Sequence, residues 1–253
     1  MAVALLAQPF FNVSTIIEVK QKNRLSLVLE KINPNFPFFP GREKRIHLSK
    51  EMDLSKTEKK TQNELLIDYL IFRAVFDKGH PDRSFELRHN IRLGNDTYAL
   101  FDFENCCLTP IKYFESERKV RQRPTFLGFH QNPRVDLVSG IVKKLADMKN
   151  FFDGKEGEDF VRSVLEKTRY AEGYKEECKQ WHNPIDDSYT DARELTQGLL
   201  AQITFCASIL LEELKQEMDK WVKFDKHGKE AAENFLHFDP TLISELEKLS
   251  SRL

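Results

Sequence analysis

Two aspartates, Asp82 and Asp102, are the residues of this sequence best suited to chemistry. Asp82 lies in a polar loop at residues 80–83, and Asp102 directly follows an apolar run at residues 99–101. A carboxylate buried beyond an apolar run is costly unless it has a partner. Two converging carboxylates can hold Mg²⁺, which completes its shell with water and phosphate oxygens. Alternatively, one of them orients or deprotonates a hydroxyl while the other holds metal, as phosphoryl transfer requires.

A helix and a β-hairpin would have to position these two aspartates. Ser55 and Glu58 have the spacing of a capping box, and apolar side chains then recur at helical spacing from Leu65 to Phe76. Two strands, His89–Leu93 and Thr97–Phe101, flank a Gly-Asn-Asp turn, which predicts a hairpin.

The predicted hairpin brings Asp102 toward the loop that contains Asp82. With the turn centred on Asn95, antiparallel pairing sets Asp102 opposite Arg88. Asp82 lies six residues before Arg88. A loop of that length can fold back within roughly 10 Å, since an extended residue spans at most about 3.3 Å. The sequence therefore predicts that both carboxylates lie at the same end of the hairpin.

The order of these elements resembles the catalytic segment of atypical kinases, in the HipA-like, phosphoinositide-kinase-like and secretory-pathway branches. The resemblance is carried by a helix, the pair Asp82-Arg83, a hairpin, and an apolar strand that ends in Asp102-Phe103-Glu104. It implies that Asp82, beside Arg83, is the catalytic base or substrate-orienting residue, and that Asp102 is a metal ligand. ATP and Mg²⁺ are the implied cofactors.

Other positions depart from the pattern of those families. Leu87 stands where a second metal ligand is expected, so Glu86 or Asn90 would have to supply it. There is no glycine-rich phosphate loop upstream, and the ATP-pairing lysine would be Lys20 or Lys31. The resemblance thus implies a phosphotransferase with a reduced or externally completed nucleotide lobe, or an inactive pseudokinase.

A basic stretch follows this segment and offers a second function. Its cations extend to Arg134, with Phe126, Phe129 and His130 among them, and they include Arg118, Lys119, Arg121 and Arg123. Arginines among aromatics can hold phosphates and stack on bases. In the kinase-like order this stretch would face the substrate. Otherwise it is a solvated loop, or the binding site of a non-catalytic protein that contacts nucleic acid or a protein partner. A metal-dependent nuclease using the same acids and His89 is a third hypothesis.

Composition sets wider limits on function. The 253 residues are 40% hydrophobic and 31% charged, as in ordinary globular proteins. The net charge of -1 provides no global field for nucleic acid or an anionic membrane. Four cysteines without a C-x-x-C pair favour reduced thiols, so we expect a cytoplasmic protein. No apolar run of about 18 residues occurs, so we expect no membrane span.

The expected fold class is α+β, and the resemblance implies a reduced kinase-like fold. A mixed part at residues 1–130 would contain an N-terminal edge strand or tucked segment, a hairpin within residues 11–32, and the candidate catalytic hairpin. A helical part would follow at residues 131–253. In it, apolar periodicity predicts helices near 137–152, 160–165 and 191–224, and Asp239-Pro240 would open a short last helix.

Overall fold

The computed structural model describes residues 2–11, 18–22, 24–28, 59–76, 91–93, 98–100, 106, 108–120, 123–127, 135–223 and 241–251. In these stretches the helices are α1 Ala2–Ala7, α2 Lys59–Phe76, α3 Ile111–Val120, α4 Val135–Phe152, α5 Lys155–Thr168, α6 Tyr170–Gln180, α7 Ala192–Lys223 and α8 Thr241–Ser250, with a 3-10 turn at Asp187–Thr190. The strands are β1 Glu18–Lys22, β2 Arg24–Val28, β3 Ile91–Leu93 and β4 Tyr98–Leu100.

The described chain is mainly helical, so the expectation of an α+β fold is wrong. Within the described ranges, strands pair only as two separate two-stranded hairpins, β1 with β2 and β3 with β4. A two-stranded hairpin cannot bury an apolar face by itself, so it does not build a layer of the fold. The core is made by helices instead.

Of the two alternatives for the N-terminal segment, the edge strand is wrong, because the segment is a helix that is tucked into the core. Helix α1 covers Ala2–Ala7, and Leu6 and Ala7 are completely buried. Three alanines and two leucines in six residues favour a helix more than a strand, because these residues lose little side-chain freedom in it. The contacts of α1 are made with α5, far along the chain.

The first hairpin differs in detail from the prediction. The sequence predicts the turn of this hairpin at Lys20–Asn23, but pairing joins Glu18 to Val28 and Lys22 to Arg24, so residues 20–22 lie in β1. Lys20, a predicted nucleotide-binding residue, belongs to the ladder and pairs with Ser26.

Helix α7 is the centre of the core. It contacts α2, α3, α4, α5 and α8. Asp191 caps its first turn by accepting hydrogen bonds from the backbone N–H groups of Arg193, at 2.8 Å, and Glu194, at 3.5 Å. One face carries buried side chains at steps of three and four positions, which is the spacing that predicted this helix: Leu195, Leu199, Ile203, Cys206, Leu210 and Leu214.

Helix α7 also meets the length and composition of a membrane-crossing segment, over Ala192–Glu217. Other parts of the protein bury 67% of its most apolar window. A core helix enclosed by other helices has the same composition, so this observation is weak evidence for a membrane. The absence of a membrane span therefore stays a prediction.

An aromatic cluster and one ion pair join α2 to α4. The rings of Phe10 and Phe151 lie 5.3 Å apart, and those of Phe11 and Phe72 lie 5.7 Å apart, both nearly perpendicular. The Lys144 ammonium contacts the Asp68 carboxylate and donates to the Phe10 carbonyl at 2.6 Å. These contacts hold α2 against α4. Helix α2 ends at Phe76 and precedes the β3–β4 hairpin, which begins at Ile91.

Candidate functional site

Most residues of the predicted phosphotransfer site lie outside the described residues. These are Asp82, Arg83, Glu86, Asn90, Asp102, Lys31 and Arg121. Their convergence therefore stays a prediction. The described part of the site consists of α2, the β3–β4 hairpin, α3 and the segment at residues 123–127.

The β3–β4 hairpin lies where the sequence predicted one, but its register differs by one residue. Ile91 pairs with Leu100 and Leu93 with Tyr98, whereas a turn centred on Asn95 would pair Ile91 with Ala99. Side chains alternate between the two faces of a strand, so a shift of one position changes which of them lie directly opposite each other. The predicted opposition of residues 88 and 102 followed from the earlier register.

Two of the predicted substrate-contacting cations belong to helix α3. The sequence analysis did not predict this helix and placed both cations in a basic stretch. Arg118 and Lys119 lie in the last turn of α3, where cations favour a helix through its dipole. Arg118 forms an ion pair with Glu115, with N···O at 2.7 Å, and its guanidinium lies 5.2 Å from the centre of the Phe205 ring. Lys119 is exposed.

The third described cation, Arg123, begins a short segment that is fastened to α7. Its guanidinium contacts Glu212 at 2.6 Å. The backbone N–H groups of Phe126 and Leu127 both donate to one oxygen of Glu213, at 2.9 and 2.8 Å. Burial raises the pKa of Glu213, whereas these two hydrogen bonds and the nearby Arg123 lower it, and burial has the larger effect. Phe126, in the middle of this segment, is completely buried in the core.

A polar cluster joins the start of α3 to the turn before α7. Asp186 receives hydrogen bonds from the Lys112 ammonium and the Ser188 backbone N–H, both at 2.8 Å, and from the Tyr113 hydroxyl. The Lys112 contact has the largest effect, followed by Tyr113 and Ser188, and together they hold the pKa of Asp186 well below its usual range. The same carboxylate raises the pKa of Lys112.

Four tyrosine rings extend from this cluster as a continuous stack. Tyr113 and Tyr189 have ring centres 5.6 Å apart, Tyr189 and Tyr174 are 4.7 Å apart, and Tyr174 and Tyr170 are 6.5 Å apart. The rings are within 23° of parallel at each step. Burial, and then a hydrogen bond with the Cys178 thiol, raise the pKa of Tyr174. The stack holds α6 against the turn that leads into α7.

The Asp186 cluster should make the stability of the protein depend on acid pH. Because the folded state lowers the pKa of Asp186, its contacts stabilise the fold above about pH 4, and this stabilisation is lost as the pH falls through the folded-state pKa. We expect Asp186→Asn to remove this loss. Urea unfolding should give a stability difference between wild type and variant that is largest near about pH 6 and shrinks below about pH 4. A difference that does not change with pH would contradict the assignment, and Asp187→Asn is the neighbouring control.

No group of three or more histidine, cysteine, aspartate or glutamate residues suited to a metal ion occurs among the residues that the structure describes. Asp82 and Asp102 lie outside the described residues. No family model, curated protein or solved structure matches the chain. The kinase-like resemblance therefore depends on the residues of the segment itself.

Sequence reasoning missed several of the polar residues that organise this region. Helix α3 could have been predicted, because Thr109-Pro110 precedes it and Ile111 and Phe114 share one face. The roles of Lys112 and Glu213 had no such local signal. Their partners lie 74 and 86 or 87 positions away along the chain.

Proposed function

We propose that this chain is a kinase-like phosphotransferase, or an inactive relative of one, that binds ATP with Mg²⁺. The observation that carries the proposal is the antiparallel pairing of Ile91–Leu93 with Tyr98–Leu100, which lie between α2 and α3 in the order of the chain. A short hairpin in this place leads directly into Asp102-Phe103-Glu104. It supports the order of helix, Asp-Arg loop, hairpin and metal-binding triplet on which the resemblance depends.

In this proposal the two aspartates have different roles. Asp102 would hold Mg²⁺ bound to the nucleotide phosphates, with Glu86 or Asn90 as a second ligand. Asp82, beside Arg83, would accept or orient the proton of the attacking hydroxyl. Lys20 or Lys31 would contact the nucleotide. Catalysis by such a site depends on positioning and charge stabilisation. The role of the metal ligand and the role of the base can therefore be tested by separate substitutions.

Nucleotide binding tests this proposal. At a nucleotide concentration of about 100 Kd, binding should stabilise the wild-type protein by about 2.7 kcal/mol, which is measurable as a rise in melting temperature. Asp102→Ala should abolish the rise that depends on Mg²⁺. Asp82→Ala should retain it but lose transfer of labelled phosphate from ATP. Asp159→Ala, at an exposed position of α5, is the control and should behave as wild type.

Two results would contradict this proposal. If the wild-type chain gives no thermal shift with any nucleotide plus Mg²⁺ or Mn²⁺, catalysis by the chain on its own is excluded. If Asp102→Ala and Asp159→Ala shift equally, Asp102 is not a metal ligand.

Binding of nucleic acid or an acidic protein through the basic stretch remains the alternative proposal. Internal ion pairs of Arg118 and Arg123 reduce the positive charge that α3 and the segment after it present to a partner. Salt-sensitive binding to RNA that survives the double variant Asp82→Ala/Asp102→Ala would favour this alternative over phosphotransfer.

A further inference from the structure

Two adjacent acids of α7 fasten the segment Arg123–Leu127, which lies between α3 and α4. Glu212 holds the guanidinium of Arg123, and Glu213 accepts the backbone N–H groups of both Phe126 and Leu127 at a single oxygen. The two attachments differ in setting. The Arg123–Glu212 pair is more than half exposed, whereas Glu213 lies beside two residues that are almost completely buried.

The Glu213 attachment should be much stronger than its neighbour. Hydrogen bonds to an ionised acceptor are shorter and about twice as strong as neutral ones. The two N–H groups belong to residues 123–127, which form neither helix nor strand, so Glu213 supplies the partner that secondary structure would otherwise supply. An exposed ion pair, by comparison, contributes little because water and salt screen it.

We propose that Glu213 is a latch that holds the segment Arg123–Leu127 closed against α7, and that loss of this one carboxylate releases the segment as a unit. Both backbone hydrogen bonds would be lost together. Their N–H groups lie on the two sides of the Phe126 Cα atom, whose side chain is buried in the core. The segment comes after the Asp102-Phe103-Glu104 triplet in the chain. That it would therefore face the phosphate acceptor depends on the proposed function, whereas the latch itself does not.

Amide hydrogen exchange, measured residue by residue on the full chain without nucleotide, tests the latch. In Glu213→Ala, the amides of Phe126 and Leu127 should exchange about tenfold faster or more than in the wild type. The amides of α4 and the middle of α7 should keep their protection. The matched control is Glu212→Gln, which removes the ion pair with Arg123 and should change exchange at Phe126 and Leu127 by at most about twofold.

A second variant covers the case in which Glu213→Ala does not fold. Glu213→Gln keeps the shape and one carbonyl acceptor but loses the charge, so the two amides should exchange about threefold faster or more. Wild-type exchange in the folded Glu213 variants would overturn the latch. Equal acceleration in Glu212→Gln would overturn it too, because the exposed pair would then hold the segment equally well.

A separate measurement distinguishes the latch from the proposed function. In the released variant, the nucleotide-dependent thermal shift should be retained, and transfer of labelled phosphate from ATP to the chain itself should change in rate. An unchanged rate would overturn the claim that the segment faces the acceptor. Absence of any nucleotide shift or transfer in the wild type would reject that claim and the proposed function together, while the exchange result would still decide the latch.

Discussion

Gly198→Ala is expected to destabilise the protein by about 3 kcal/mol, although alanine normally favours a helix. Gly198 lies in α7, where the chain entering α3 crosses it. A Cβ atom at this position would lie 1.7 Å from the Thr109 carbonyl oxygen and 2.9 Å from the carbonyl carbon. Both are backbone atoms, so no side-chain rotation can relieve the overlap. The two helices would have to separate.

Thermal and urea unfolding measure this effect. A loss of about 3 kcal/mol corresponds to a fall of about 10 °C in melting temperature for a chain of this size. The matched control is Gly173→Ala in α6, where a Cβ atom would meet nothing within 4 Å. There we expect a gain of about 0.5 to 1 kcal/mol from helix propensity alone. If both variants gained stability, the close approach of α3 to α7 would be wrong.

Asp68→Ala is expected to have an effect of similar size, about 3 kcal/mol, because it leaves a partly buried ammonium without its anionic partner. The side chain of Asp68 is 6% exposed and that of Lys144 is 24% exposed, between α2 and α4. After the substitution Lys144 would retain the Phe10 carbonyl at 2.6 Å and the Phe11 ring, whose centre lies 5.0 Å from its Nζ atom. These neutral groups offset only part of the desolvation cost.

Removing the pair together should be much less harmful than breaking it. In Asp68→Leu/Lys144→Met both members of the pair become apolar, and we expect a stability within about 1 kcal/mol of the wild type. The exposed pair of Arg162 with Glu158 provides the contrast, since Arg162→Ala should cost at most about 0.5 kcal/mol. A double variant as unstable as Asp68→Ala would mean that the pair contributes specific geometry and not merely mutual compensation of charge.

These two contacts bear on the proposed function because they hold α2 and α3, which precede and follow the candidate site in the chain. The Asp68–Lys144 pair holds α2, which precedes residues 80–83 in the chain, and Gly198 allows α3, which follows Asp102-Phe103-Glu104 in the chain, to approach α7. Loss of nucleotide binding in either variant must therefore be separated from loss of folding. Circular dichroism of the same samples makes that distinction.

Local patterns in the sequence were sufficient for several elements. Helix α7 follows from the spacing of Leu195, Leu199 and Ile203 and from the cap at Asp191, and α2 and α4 follow from similar periods. The place of the β3–β4 hairpin follows from its turn residues. In each case the decisive interactions join residues that are about four positions apart along a helix, or that lie on the two sides of a turn. The amino acids that make them are therefore close together in the sequence.

Other features depended on contacts between distant residues. The short N-terminal helix, the mainly helical fold and the one-residue change in hairpin register were not predicted, because short apolar runs suit a strand and a helix equally well until packing decides between them. From the sequence alone we predicted Asp82 as a catalytic residue, Asp102 as a metal ligand and Arg123 as a substrate or partner contact, and these roles stay predictions. Only the tertiary structure joined Arg123 to Glu212, and Phe126 and Leu127 to Glu213, since a partner more than 80 positions away leaves no periodic trace in the chain.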